Sequence, residues 1–510
     1  MDWRRPLIYT HRWLGIAGGI VFIAWFASGI VMMYARMPEL REDERLARLA
    51  PIDLTQARMS VADAARDAAA CGTGGQACDR VRVAMLGDRL VYRVQSRGDW
   101  TTIFADTGDA LRGLSAERAI DLARRFAPEH ASTIRYDALI TQPDQWTLSG
   151  EARRGLPLHR LALGDPQDSE IYISNRTGDI VMKTTSAERR WAYAGAVLHW
   201  IYFTPLRKHG PLWTQVIIWS SFIGCVMSLT GLLWGVFRFS PSARFRLKRE
   251  HSHTPYAGFM RWHHYAGLIV GLASFTWVFS GMLSMDPIPS IPGSGPTRQQ
   301  RDAVSGGPLR LDRISVASFT RPFTGAKEIE IAQFRGEPLL ITHDAPIRFD
   351  RDALLAAARA AMPGADIVDD EWLERYDAYY YDRDGGLSLP ILRVRYADPQ
   401  RTWLYLDPRR GAIVRKEERL TRVNRWLYHG LHSLDFPFLY YRRPLWDIVV
   451  ITLSLGGLVL STATLAPAVH RLRRHLRRFQ VGGRYAFRHD DRGGDRVVDR
   501  SRRGGIGGIM

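Results

Sequence analysis

Four long apolar runs interrupt an otherwise polar chain: Leu14–Tyr34, Trp213–Phe237, Ala266–Met285 and Leu445–Pro467, each almost free of charge. At a rise of 1.5 Å per residue, about 20 such residues cross a hydrocarbon core roughly 30 Å thick. Each run therefore predicts a transmembrane helix. Gly, Ser, Thr and Trp recur within them, as in membrane helices that pack on one another. The first run follows Arg4 and Arg5 as a signal peptide would. It continues through Ile30–Tyr34 without a small-residue cleavage site, and so reads as an uncleaved helix.

Shorter periods lie between the runs. Val61–Ala70, Ala116–Phe126 and Asp352–Ala361 carry the spacing of amphipathic helices. Arg89–Gln95, Glu170–Ser174 and Trp403–Asp407 are strand-like, and Trp100–Gly108 reads as a strand and turn. Asn175–Gly178 and Asp407–Gly411 are expected turns in which Gly supplies a positive φ. Asp286–Pro308, rich in Pro and Gly, reads as a linker, and the Arg/Asp/Gly tail from about Gln480 as disordered.

The pattern also repeats. Leu156-Pro157 through Asp165-Pro166-Gln167 matches Leu389-Pro390 through Asp398-Pro399-Gln400. Without a gap, Tyr172, Gly178, Ile180-Val181, Leu198-His199 and Pro211-Leu212-Trp213 then fall on Tyr405, Gly411, Ile413-Val414, Leu431-His432 and Pro444-Leu445-Trp446. In the helices that open each half, His11, Gly15, Gly19, Trp25 and Ser28-Gly29 fall on His263, Gly267, Gly271, Trp277 and Ser280-Gly281. The expected architecture is an internal duplication with parallel repeats. Four transmembrane helices carry two α+β domains. Its segments are 1–35 (stub and first helix), 36–211 (first domain), 212–237 (second helix) and 238–262 (basic connector). Then come 263–285 (third helix), 286–443 (second domain), 444–467 (fourth helix) and 468–510 (basic tail).

Charge sets the expected orientation. The net charge of +18 on 510 residues gathers in the N-terminal stub, the 238–262 connector and the tail. The positive-inside rule then makes those three cytoplasmic, with both termini inside and both domains periplasmic, as in a bacterial inner membrane. A nucleic-acid partner is not needed to explain the charge. Cys71 and Cys78 lie close together in a translocated segment, where a disulfide is expected. Cys225, inside a helix, reads as packing.

His11-Arg-Trp-Leu-Gly, the Tyr-x-x-x-x-x-Gly-x-Ile-Val turns and the two Leu-His segments resemble, taken together, the PepSY-associated transmembrane family of iron-regulated inner-membrane proteins. The likeness covers nearly all of residues 1–470. It implies two PepSY-like domains. Some members resemble ferric-siderophore reductases that carry haem between their helices. Others append a cytoplasmic flavin-reductase domain, whereas the tail here has no Gly-rich nucleotide motif.

Ionisable residues at membrane helices are functional candidates. His11 and His263 open the first and third helices, and His199 and His432 precede the second and fourth. Each is a repeat-related pair, as the two axial faces of a six-coordinate haem iron require. Two b-type haems are expected, one pair of ligands each, with His264 and His429 as alternates. Arg12 and Arg261, and Arg190, Arg422 and Arg425, are candidate propionate partners. Trp25 and Trp277 read as helix packing or as a coupling between two haems, and Trp200, Tyr202, Phe203, Phe436, Phe438, Tyr440 and Tyr441 as an interfacial belt or a docking surface for a ferric chelate.

The leading expectation is a transmembrane electron carrier, taking electrons from a cytoplasmic reductase or quinol and reducing a ferric siderophore or other ferric chelate. The competing one is a PepSY module that binds a protease or envelope partner, with the helices as an anchor. A permease is disfavoured, because four helices without intramembrane acids offer little pathway.

Overall fold

The computed structural model describes residues 3–490 other than 69, 72–77, 248–249, 288–292, 294, 317, 319–322, 324 and 383–385. Four helices are long and apolar enough to cross a membrane: α1 (Arg4–Met32), α2 (Gly210–Arg238), α3 (Phe259–Leu283) and α4 (Leu445–Thr462). Seven strands lie between α1 and α2: β1 (Arg80–Leu86), β2 (Arg89–Ser96), β3 (Asp99–Phe104), β4 (Arg135–Ile140), β5 (Leu158–Ala162), β6 (Glu170–Ser174) and β7 (Ile180–Thr184). The connector to α3 forms a hairpin, β8 (Phe245–Leu247) and β9 (Glu250–Ser252). Between α3 and α4 come β10 (Glu328–Phe334), β11 (Glu337–Ile341), β12 (Ile367–Leu373), β13 (Ile391–Tyr396), β14 (Trp403–Asp407) and β15 (Ala412–Glu417).

The chain divides into two compact units. The smaller comprises Met1–Ile23, Thr230–Gly271 and Gly456–Met510. Small residues let its helices approach closely: a Cβ added at Gly456 would lie 2.7 Å from Val270 Cγ1. Helical structure continues beyond α4 as Leu465–Asp490. The disorder expected from about Gln480 therefore does not begin there. Val469, Leu472 and Leu476 recur at helical spacing among arginines, which is the periodicity of an amphipathic helix.

The larger unit comprises Ala24–Leu229 and Leu272–Leu455. It contains two four-stranded antiparallel meanders, β4-β5-β6-β7 and β12-β13-β14-β15. Both have a bulge at the same place, between Tyr172/Ile173 and between Tyr405/Leu406. Each is covered by the amphipathic helix the spacing predicts. Ala116–Phe126, capped by Ser115, buries Ala119, Ala123 and Phe126 against Leu161, Ile171 and Ile173. Arg351–Ala361, capped by Asp350, buries Leu354, Leu355 and Ala358 against Leu392, Val394 and Leu404.

A third sheet mixes the two halves of the sequence in the order β11-β10-β1-β2-β3. At its central seam β1 pairs antiparallel with β10, Val81 opposite Ile331 and Val83 opposite Ile329. These side chains share one face by the two-residue period of a strand and join one core with Val61, Ala64 and Tyr92. The Cys71–Cys78 disulfide closes that core, with Cα atoms 5.4 Å apart.

The two turn glycines dock meanders on this sheet. Gly178 (φ 67) and Gly411 (φ 61) both take the positive φ expected of them. A Cβ at Gly178 would collide with Leu86, and one at Gly411 with Phe334. Leu86 ends β1 and Phe334 ends β10, so the same joint is made twice. One expectation is corrected: Asp286–Pro308 is not wholly a linker, because Arg298–Ser305 is helical behind a Thr297/Gln300 capping box. Val304 on that helix packs with Leu354 and Leu355.

Candidate functional site

Helix Ser186–Ala192 starts at a Thr185/Glu188 capping box, and Arg419–Arg425 at Glu418/Thr421. Each runs directly into one π-helical turn, Tyr193–Val197 and Trp426–Gly430. A π turn adds a residue to the helical phase and so rotates the next turn about the axis. His199 and His432 come next, and just beyond them Ile201 (φ 51) and Leu434 (φ 52) take left-handed backbone. That conformation costs a residue with a Cβ on the order of 1 kcal/mol or more. Trp213 Nε1 donates to the Trp200 carbonyl at 3.0 Å and Trp446 Nε1 to the Ser433 carbonyl at 2.9 Å. The first turns of α2 and α4 thereby clasp the histidine-bearing turns.

His199 Nδ1 lies 3.2 Å from the Trp25 carbonyl and 3.1 Å from Ser28 Oγ. His432 Nδ1 lies 3.1 Å from the Trp277 carbonyl and 3.1 Å from Ser280 Oγ. A ring nitrogen facing a carbonyl is assigned as N–H, so Nε2 carries the lone pair in both rings. Gly29 and Gly281 bring the main chains of α1 and α3 beside the imidazoles: a Cβ there would sit 3.5 and 3.6 Å from the Cε1 atoms. The two ring centroids are 6.1 Å apart, with planes at 76°.

The second pair lies in the smaller unit. His11 and His263 have centroids 6.0 Å apart and planes at 35°. His263 Nδ1 is 2.8 Å from the Leu460 carbonyl. His11 packs against Gly231, where any Cβ would overlap its ring.

The alternates have other partners. His264 is 5% exposed, with Nδ1 2.6 Å from Thr254 Oγ1 and Nε2 2.8 Å from the Gly235 carbonyl. Both its nitrogens are engaged by the protein, and His263 stands opposite His11 instead. His429 lies against Tyr428 with ring centroids 4.5 Å apart and planes tilted by 49°, and Tyr428 is 5.7 Å from His432.

The candidate arginines divide. Arg12 and Arg261 lie over Tyr9 and Tyr265 at 5.4 and 5.7 Å. Arg190 is exposed. Arg422 donates to the Arg401 and Glu417 carbonyls at 2.9 and 3.3 Å and covers Trp403, so its main bonds are to strand ends. Arg425 is 6% exposed, donates from Nε to the Ala378 carbonyl at 2.7 Å and from Nη2 to the Asp435 carbonyl at 2.9 Å. Its Nη1 is buried without a hydrogen-bond partner. Trp25 gives its carbonyl to His199, and Trp277 packs on Phe26 at 6.0 Å.

Two imidazoles on opposite sides of one metal, each bonded through one nitrogen at about 2.0 Å, have ring centroids roughly 6 Å apart. Both pairs meet that spacing. Hydrogen bonding of the second ring nitrogen to a carbonyl is the usual outer support of a metal-bound histidine. No group of three or more metal-ligating side chains occurs among the described residues. Each pair offers two imidazole nitrogens, the number that a haem iron takes from protein in bis-histidine sites. Sequence reasoning misses the Ser28 and Ser280 hydroxyls, the Leu460 carbonyl and the π turns. Their one signal is the Ser-Gly pair that recurs in both opening helices. Comparison with protein-family models and with curated proteins finds no match for this chain.

Proposed function

We propose that this protein is a duplicated, haem-containing electron carrier of the bacterial inner membrane, akin to the PepSY-associated transmembrane family, that reduces ferric complexes outside the cytoplasm. Support for the duplication comes from the paired meanders, bulges, π turns and left-handed residues at repeat-equivalent positions. The inside orientation of both termini rests on the basic stub, connector and tail.

The carrying observation is that repeat-equivalent histidines meet twice, at 6.1 and 6.0 Å, with Nδ1 of His199, His432 and His263 held by carbonyls. His199 with His432, and His11 with His263, would each hold one b-type haem. When bound, such a group would supply one-electron exchange. The protein's own part is to fix the imidazole tautomers, and Arg425, with a buried Nη1 that has no hydrogen-bond partner, is the candidate for an anionic substituent. One electron from a quinol or a cytoplasmic reductase would convert iron(III) to iron(II), which hard oxygen chelators hold far less tightly.

An absorbance spectrum of detergent-purified protein, before and after dithionite, tests this. About two b-type haems per chain by pyridine haemochrome are expected, with reoxidation by ferric chelates. A featureless spectrum from haem-replete cells would overturn the reading and leave the helices as an anchor for a binding module.

A further inference from the structure

A second polar site lies away from the histidines, on the first-half side of the mixed sheet. Arg82 on β1 and Arg93 on β2 are directly paired across the strands. Like charges so placed repel, and a sheet keeps them only with compensation. Glu328 on β10 takes two bonds of 3.0 Å from Arg45 and lies 3.7 Å from Arg82. Asp179 lies 3.8 Å from Arg45 and 3.7 Å from Arg93. Three guanidiniums therefore face two carboxylates. Burial pushes the Asp179 carboxyl up, but Arg93, Arg45 and Arg82 outweigh it and hold it below the usual range. It stays ionised, and the exposed Glu42 on the cleft wall adds a third carboxylate that acts on Arg45.

The charges balance, but the hydrogen bonds of Arg93 do not. Arg93 is 3% exposed, and its Nε and Nη1 have no hydrogen-bond partner. Arg45, Arg82 and Arg93 line a cleft of about 250 Å³ that Arg154, Arg176 and Trp100 also border. Buried N–H groups of a guanidinium are rarely left unmatched, and the fork geometry suits carboxylate or phosphate oxygens. Among the described residues Arg154 pairs with Glu151, also on the cleft wall, at 2.6 Å and Arg176 with Asp99 at 3.4 Å, exposed pairs that an incoming anion can displace.

We propose that this cleft binds a small oxyanion of two or more negative charges, seated on Arg93 and steered by Arg154 and Arg176. The site is independent of the histidine pairs and of any redox role. Its Asp179 has no counterpart in the second half, where the equivalent position is Ala412.

Calorimetric titration of the detergent-purified full chain with citrate, and separately with inorganic phosphate, is the test. One anion per chain is expected, with affinity that falls as salt rises. Binding of citrate alone assigns a polycarboxylate ligand, and binding of phosphate alone a phosphate-bearing one. Arg93→Gln should weaken the preferred anion at least about tenfold. Arg154→Gln, at the exposed rim, should weaken it several-fold and keeps the test decisive if Arg93→Gln does not fold. No saturable binding of either anion, or unaltered binding in both variants, would overturn the proposal.

Discussion

The same joint is closed by different chemistry in the two halves of the larger unit. In the first half the Gln145 amide donates to the Tyr202 carbonyl at 2.8 Å and accepts from Thr204. In the second, at the carbonyl equivalent to that of Tyr202, Arg425 donates to Asp435 and also reaches the Ala378 carbonyl. The residue equivalent to Arg425 is Ala192. Around these joints the skeletons match: Tyr172 donates to Asp144 at 3.0 Å and Tyr405 to Asp377 at 3.3 Å, with Arg160 and Arg393 beside the carboxylates. The scaffold and the histidine turn recur, and the charge differs. The second half buries the Arg425 guanidinium at this joint, and the first half buries Arg93 in the cleft of the mixed sheet. Matched parts are thus suited to a shared, symmetric site, and unmatched parts to ligands that meet only one half.

The largest effect should come from breaking a matched pair. His199→Ala with His432→Ala is expected to lower haem content from about two to about one per chain, and His11→Ala with His263→Ala to do the same. Removing all four should abolish the reduced-band spectrum. If either double variant kept its full haem content, the pairing at that site would be wrong. Next comes the unmatched joint. Arg425→Gln loses charge-assisted bonds to buried carbonyls and should cost roughly 2–4 kcal/mol, read as a lower Tm by tryptophan fluorescence. Arg190→Gln, exposed, should lie within about 0.5 kcal/mol of the parent. An equal loss in both would mean that the buried bonds of Arg425 do not carry this joint.

A smaller, symmetric effect is expected at the turns. Gly178→Ala and Gly411→Ala each force a Cβ into Leu86 or Phe334 at positive φ, and each should lower stability by about 1–3 kcal/mol. Similar losses would support equivalent docking of the meanders. A loss at one alone would show that a single joint carries the sheet contact.

These elements are unequally legible in the sequence. The four spans, the helices at Ala116–Phe126 and Arg351–Ala361, and the turn glycines follow from period and composition, because burial of one face imposes the pattern locally. The meeting of His199 with His432 is inferable only from the repeat. Its outer support is not, since a carbonyl such as that of Trp25 or Leu460 has no side-chain signature. The pairing of β1 with β10 is also hidden. Strand alternation says which face is buried and nothing about which distant strand lies alongside. Arg82, Arg93 and Asp179 belong to the same class: as sequence they are ordinary surface charges, and only that pairing and the β7 turn bring them together.

The smallest effect tests whether the charge cluster is an unmatched feature of the first half. Asp179 has its carboxyl pKa lowered by Arg93, Arg45 and Arg82 against the opposing effect of burial. A carboxyl lowered in the folded state stabilises that state above its unfolded pKa, near 3.9, and loses the contribution as pH falls through the folded value. The fold should thus be steady through neutral and mildly acidic pH and weaken below about pH 4. Asp179→Asn should remove part of that acid dependence and destabilise the protein at neutral pH, because Arg93 then loses its neighbouring carboxylate and Arg45 one of its own. Ala412→Asp, which places a carboxylate at the equivalent turn of the second half without that cluster, should give no matching stabilisation. Tryptophan fluorescence against pH for the three proteins decides it. Parallel acid transitions in Asp179→Asn and the parent would mean that the cluster does not couple to folding.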